Sequence, residues 1–170
     1  MLTKNEYDSM LIERHGQKTF DILSKAYVGI AGLGGLGSNI AMMLARSGIG
    51  HLLLIDFDTV EPSNLNRQHY MISHLGMSKS EAIKDLILQA NPYIQLDTRC
   101  LKITGENAPE LFRDCDLVCE AFDKPEAKAE LINSLLENCP RLPLISGSGM
   151  AGYGSSNTIR TEKAMNNLYL

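Results

Sequence analysis

The stretch Val28-Gly29-Ile30-Ala31-Gly32-Leu33-Gly34-Gly35-Leu36-Gly37 constrains this chain more tightly than any other. An apolar, β-branched run enters it, and a helical pattern of Leu36, Ile40, Met43, Leu44 and Ser47 leaves it, stopped by Gly48. Between the two, Gly32, Gly34 and Gly37 form a G-x-G-x-x-G turn, which carries meaning where a strand precedes it and a helix follows. The first glycine permits the tight turn. The second lets backbone approach a phosphate, and the third lets the helix pack closely on the strand. A helix N-terminus adds unpaired N–H groups and a partial positive charge, both suited to an anion. The stretch predicts a nucleotide site, without saying which nucleotide or what chemistry follows.

A chain of 170 residues is long enough for one domain with its own core. The formal charge of −4 argues against a nucleic-acid partner, which selects for basic surfaces. No apolar run reaches the roughly 18 residues that a membrane span needs. The polar start, with Lys4, Glu6, Asp8 and Glu13, lacks the apolar centre of a secretory signal. The expectation is a cytoplasmic protein with no membrane partner. Cys100, Cys115, Cys119 and Cys139 form no C-x-x-C pair, so no zinc is expected. They read as structural thiols, kept reduced in that compartment.

In chain order, residues 3–24 read as helical, broken near His15-Gly16. Strands are expected at Ala26–Ala31, His51–Ile55, Ile94–Arg99, Leu117–Ala121 and Leu142–Ser146. The continuous apolar run at His51–Ile55 suits a parallel strand covered on both faces. The alternation in Ile94–Arg99 suits an edge. Helices fall between: Gly35–Ser47, a stretch opening on the capping box Ser78-Lys79-Ser80-Glu81 and closing at Asn91-Pro92, a short one at Ala108–Arg113, and one after Asp123 with Pro125 in its first turn. A glycine-rich loop, Gly147 to Ser156, leads to a strand predicted at Asn157–Thr161. The order predicts one α/β domain over 1–170: N-terminal helices over 1–24, then a Rossmann-like, doubly wound, mainly parallel sheet over 25–170 with helices on both faces. Ligands of such sheets lie beyond the carboxyl ends of the strands.

That rule selects residues. Asp56 ends the second strand, where a carboxylate accepts hydrogen bonds from a ribose diol; the bland alternative is a solvated strand-end Asp. Lys79 falls at the first position of a capped helix, where a cation opposes the dipole by ~0.3–1 kcal/mol unless an anion lies near. With Arg67 it suits a triphosphate, Arg67 as a fork and Lys79 as a point charge; otherwise both are surface cations. Asp123 either caps the helix that it precedes or, with phosphate oxygens, ligates Mg²⁺. There is no G-x-x-x-x-G-K-[ST] stretch, no G-x-S-x-G elbow, and no metal-ligand spacing among His15, His51, His69 and His74.

Taken together, Gly32 to Gly37, Asp56-Phe57-Asp58-Thr59-Val60, Ser63-Asn64-Leu65-Asn66-Arg67-Gln68, the lysine after Gly76-Met77-Ser78, and Glu120-Ala121-Phe122-Asp123 resemble the ThiF/MoeB/HesA family, relatives of the ubiquitin-activating enzymes. The resemblance runs from about Met10 to the end and is most like the short ThiF type that serves thiamine biosynthesis. It implies adenylation: MgATP and the C-terminal Gly-Gly carboxylate of a ubiquitin-like sulfur carrier give an acyl-adenylate and pyrophosphate. It implies a nucleotide held by Gly32, Gly34, Gly35, Gly37, Asp56 and Asp58, the ribose on Asp56. Asn64, Arg67 and Lys79 then hold phosphates and Asp123 holds Mg²⁺. Arg14 matches an arginine that the family inserts from the neighbouring subunit, which implies a homodimer. The chain departs from the family in lacking paired zinc cysteines and any cysteine after Cys139, and one more strand and helix are expected about where it stops at Leu170. Other readings are a non-catalytic nucleotide-binding member, a tRNA-modifying relative that adenylates a small carboxylate, and an NAD-dependent oxidoreductase. The last leaves Arg67, Lys79 and Asp123 without a role.

Overall fold

Short strands alternating with helices leave both faces of a sheet to be covered, and the chain covers both. The computed structural model describes residues 2–147, 155, 157 and 159–170. Two helices, α1 (Lys4–His15) and α2 (Gln17–Leu23), precede β1 (Tyr27–Ala31) and α3 (Gly35–Arg46). Then come β2 (His51–Ile55), α4 (Lys79–Ala90), β3 (Gln95–Arg99), α5 (Ala108–Phe112), β4 (Leu117–Glu120), α6 (Pro125–Asn138), β5 (Leu144–Ser146) and β6 (Leu168–Tyr169). The strands lie in the order β3-β2-β1-β4-β5-β6, and every pairing between neighbours is parallel. The chain order reverses between β1 and β4, the place where a crevice opens at the carboxyl ends of such a sheet.

One core lies between the sheet and α3 and α4, with Ile30, Leu52, Leu54, Ala41, Ile83 and Ile87 fully buried. The other lies under α5 and α6, with Leu53, Ile55, Phe112, Val118, Leu131 and Leu135. Strand β3 alternates exposed and half-buried residues, as expected of an edge. Helices α1 and α2 pack on their own domain at the end away from the crevice. Leu11 abuts Gly48, Tyr7 meets the Tyr93 ring at 5.7 Å, and the Gly50 amide donates to the Leu23 carbonyl.

Helix α3 forms where the helical pattern placed it, with Leu36 and Met43 exposed and Gly37, Ala41 and Ala45 facing the core. The cause is Gly37: a Cβ there would fall 1.9 Å from the Gly32 carbonyl oxygen, so this position must face the strand and positions four apart follow it. Asp123 does not cap α6. Pro125 takes the first helical position, so Lys124 stands at the N-cap in extended conformation, as a residue before proline must. The last strand is not at 157–161. Asn157 and Ile159–Thr161 carry no strand, Thr158 lies outside the described residues, and β6 forms instead at Leu168–Tyr169. Most of the glycine-rich loop also lies outside the described residues.

Candidate nucleotide-binding site

The carboxyl ends of β1, β2 and β4 open into a cleft of about 910 Å³. That is within the size range of small-molecule sites. Its near wall is the glycine turn. Gly32 has φ +89°, a conformation that a side chain rarely adopts, and its amide donates to the Ile55 carbonyl. A Cβ on Gly34 would meet nothing closer than the Gln68 amide nitrogen at 4.0 Å. The space in front of Gly34 is therefore left open on the cleft side, a cradle that a methyl group would fill. No side chain caps α3, so its first amides are left for an anion.

The Asp56 carboxylate braces this turn. Its Oδ2 accepts the Leu33 amide at 2.6 Å, and its Oδ1 accepts the Asp58 amide at 2.8 Å. Each oxygen keeps a second lone pair for a hydroxyl donor. Tyr70 completes the brace by donating its hydroxyl to the Leu33 carbonyl at 2.8 Å. Burial, with the nearby charges of Asp56 and Asp58, pushes that phenol above its ordinary range and keeps it a donor.

Two cations of the site, Lys79 and Arg67, line the same cleft. The Lys79 side chain is 8% exposed and its Nζ pairs with Asp58 Oδ2 at 2.8 Å. The anion that offsets a cation at this helix start is, within the protein, Asp58. Ser78 caps α4 by accepting the Glu81 amide at 3.4 Å, but the Glu81 carboxylate accepts the Thr98 hydroxyl instead of closing the expected capping box. Arg67 is exposed and lies over Gly35. Its Nη1 donates to the Ser63 carbonyl and to Asn66 Oδ1, both at 3.0 Å, and among the described residues Nε and Nη2 have no acceptor. Asn64 is buried, and its Oδ1 accepts the Glu61 amide at 3.0 Å. Asp123 stands exposed at the cleft edge with no hydrogen bond or ion pair among the described residues. An unpaired carboxylate facing a cluster of cations and open amides fits a Mg²⁺ ligand.

Gly32, Gly34, Gly35, Asp56, Asp58, Asn64, Arg67, Lys79 and Asp123 thus line one cleft, although up to 91 positions separate them in sequence (Gly32 to Asp123). Gly37 serves the site from behind, by packing. Arg14 is exposed in the last turn of α1 and lies outside the cleft lining. Among the thiols, Cys115 and Cys119 are buried and Cys100 is exposed. Sequence reasoning passed over two features. The Glu120 side chain, fully buried at the end of β4, pairs with Lys128 of α6; a carboxylate inside the apolar run Leu117–Ala121 was the available signal. Gln68, the last residue of the Ser63–Gln68 stretch, is buried at the cleft wall, and its side-chain oxygen has no partner among the described residues; nothing in that stretch marks its burial.

Comparisons with known proteins place the chain in a family. Over 134 residues, 78% of the chain, it is 37% identical to a molybdopterin-synthase adenylyltransferase of Haemophilus influenzae, and it covers 54% of that protein. Over 141 residues, 82% of the chain, it is 37% identical to the adenylyltransferase and sulfurtransferase UBA4 of Eremothecium gossypii, and it covers 31% of that protein. The chain thus spans about a third to a half of these relatives' length. Among solved structures, the Escherichia coli tRNA N6-threonylcarbamoyladenosine dehydratase TcdA in complex with ATP superposes with a TM-score of 0.85 at 28% identity, over 95% of this chain and 68% of that one. Residues 7–168 match the ThiF family, and the chain belongs to it.

Proposed function

We propose that this chain is the nucleotide-binding unit of an adenylyltransferase that activates the C-terminal Gly-Gly carboxylate of a ubiquitin-like sulfur carrier, with a ThiS-type carrier of thiamine biosynthesis as the first candidate. The observation that carries the reading is the meeting, in one cleft, of an open glycine turn, two cations with free donors and an unpartnered carboxylate. The adenylyltransferase names of the relatives support it. In the reaction a carboxylate oxygen attacks the α-phosphorus of ATP, and the bond to the bridging oxygen of pyrophosphate breaks. Such a step needs positioning and charge neutralisation more than covalent help.

The chain's residues supply both. The glycine turn and the open α3 N-terminus receive phosphate oxygens. Arg67, Lys79 and Asn64 hold the triphosphate in line, and Asp56 and Asp58 face the ribose. Asp123 holds Mg²⁺, which when bound spreads the charge of the departing pyrophosphate. Arg14 acts on the cleft of a second copy in a homodimer, and the protein works in the cytoplasm.

ATP–pyrophosphate exchange tests the reading. Exchange that depends on a Gly-Gly-ended carrier is expected. Asp123→Asn is expected to lower it roughly 10²–10³-fold while leaving the melting temperature unchanged, because Asp123 caps nothing. ATP binding without exchange under any carrier points to a non-catalytic unit, and preference for NAD over ATP points to an oxidoreductase. One observation favours a second reading: the match to a tRNA-acting, ATP-bound enzyme covers 95% of this chain. Exchange stimulated by tRNA and not by carrier would select it.

A further inference from the structure

Among the described residues Asp123 has no partner of its own, and its neighbours set its position. The link from β4 to α6 holds only 121–124. The Ala121 amide donates to the Ala31 carbonyl of β1, and the Lys124 carbonyl accepts the Lys128 amide of α6. Between these anchors, the Phe122 amide donates to Glu120 Oε1 at 2.7 Å. The second oxygen of Glu120 accepts from Lys128 Nζ and from the Ser146 hydroxyl. One carboxylate therefore ties the end of β4, the link bearing Asp123, the first turns of α6 and the end of β5. The Phe122 ring in turn lies against Gly32, with its Cδ1 2.9 Å from the place of a Cβ there. The link is coupled to the glycine turn as well.

A buried ion pair is an expensive way to hold two elements together, because hydrophobic residues of similar volume often serve as well or better. Glu120 is 0% and Lys128 19% exposed, and Lys128 itself lines the cleft. We propose that Glu120 and Lys128 are positioning residues that fix Asp123 and Phe122 for the metal–nucleotide complex, so that the pair sets the Mg²⁺ requirement of ATP binding. The proposal rests on the adenylyltransferase reading.

Its test is the Mg²⁺ concentration that half-maximally supports ATP binding, measured by calorimetry, together with hydrogen exchange at the Phe122 amide. The pair is removed in the double variant Glu120→Leu/Lys128→Met, which leaves no lone buried charge. The expected result is a folded protein with unchanged metal-free ATP affinity, a Mg²⁺ requirement raised roughly 10–100-fold, and faster Phe122 exchange. Lys128→Arg restores most of the wild-type value. Ser146→Ala, which deletes a single hydroxyl, gives the reading if the double variant does not fold, and there too the requirement must rise. A wild-type Mg²⁺ requirement with wild-type Phe122 protection in the double variant, or in Ser146→Ala where the double variant does not fold, would overturn the proposal. If the wild-type protein binds ATP with no dependence on Mg²⁺, the role of Asp123 in the function itself fails, and the proposal with it.

Discussion

Three glycines in one motif do three different jobs, and alanine separates two of them. At Gly37 a Cβ would meet the Gly32 carbonyl oxygen at 1.9 Å, so helix and strand must part. Gly37→Ala is expected to destabilise the protein by about 1–3 kcal/mol, read from the urea midpoint. At Gly34 a Cβ meets nothing among the described residues closer than 4.0 Å. Gly34→Ala is expected to cost less stability than Gly37→Ala and to weaken ATP binding about tenfold, ~1.4 kcal/mol. Equal loss of stability in both variants would show that Gly34 serves the fold and not a ligand.

At the scale of the element, α4 begins with a cation on the wrong end of its dipole, and Asp58 offsets it from 21 positions away (58 to 79). The two partners are unequal, because Lys79 is buried and Asp58 is half exposed. Asp58→Asn takes the counter-charge from the buried Lys79 ammonium, so it should cost about 1–3 kcal/mol. Removing the base relieves the dipole, so Lys79→Met should change stability by less than about 1 kcal/mol while abolishing exchange. Chemical denaturation beside the exchange assay reads both. A larger loss for Lys79→Met than for Asp58→Asn would mean that the pair exists for stability.

What the sequence made legible follows from the range of each interaction. Strand, glycine turn and helix were readable because apolar runs and glycines act locally, Asp56 and Asp123 were reachable as strand-end residues, and Asp58 only through the family resemblance. The inward face of α3 was not readable, because apolar residues lie on two sides of it. A contact between Gly37 and Gly32 decided which side turned inward. The cap of α6 went to Lys124 because Pro125 governs the residue before it. The pairings of Asp58 with Lys79 and of Glu120 with Lys128 depend on where the fold brings distant elements, and no spacing rule announces them.

At the scale of the whole molecule, burial sets the alkaline limit. It pushes the Cys119 thiol up to about 11 and the Cys115 thiol up to about 12, from an ordinary value of 9.0. Folding favours the neutral thiol, so this contribution is complete below about pH 9. Between 9.0 and about 11–12 the unfolded chain ionises first, binds fewer protons, and stability falls as pH rises. The urea midpoint should be flat from about pH 7 to 9 and drop above it, less steeply in Cys119→Ala. A thiol reagent should find Cys100 at once in the native protein and Cys119 only after unfolding.

The remaining question at this scale is whether one copy is enough. Arg14 lies outside its own cleft, so mixing Arg14→Ala with Lys79→Ala should recover part of the exchange activity through mixed dimers. No recovery in verified heterodimers would assign Arg14 to the surface.

The most direct measurement is a crystal structure of the protein with MgATP. The account predicts the triphosphate against Gly34 and the α3 N-terminus, its oxygens met by Arg67 and Lys79, the ribose at Asp56 and Asp58, and the metal on Asp123. A nucleotide bound elsewhere, or a metal that Asp123 does not touch, would contradict it.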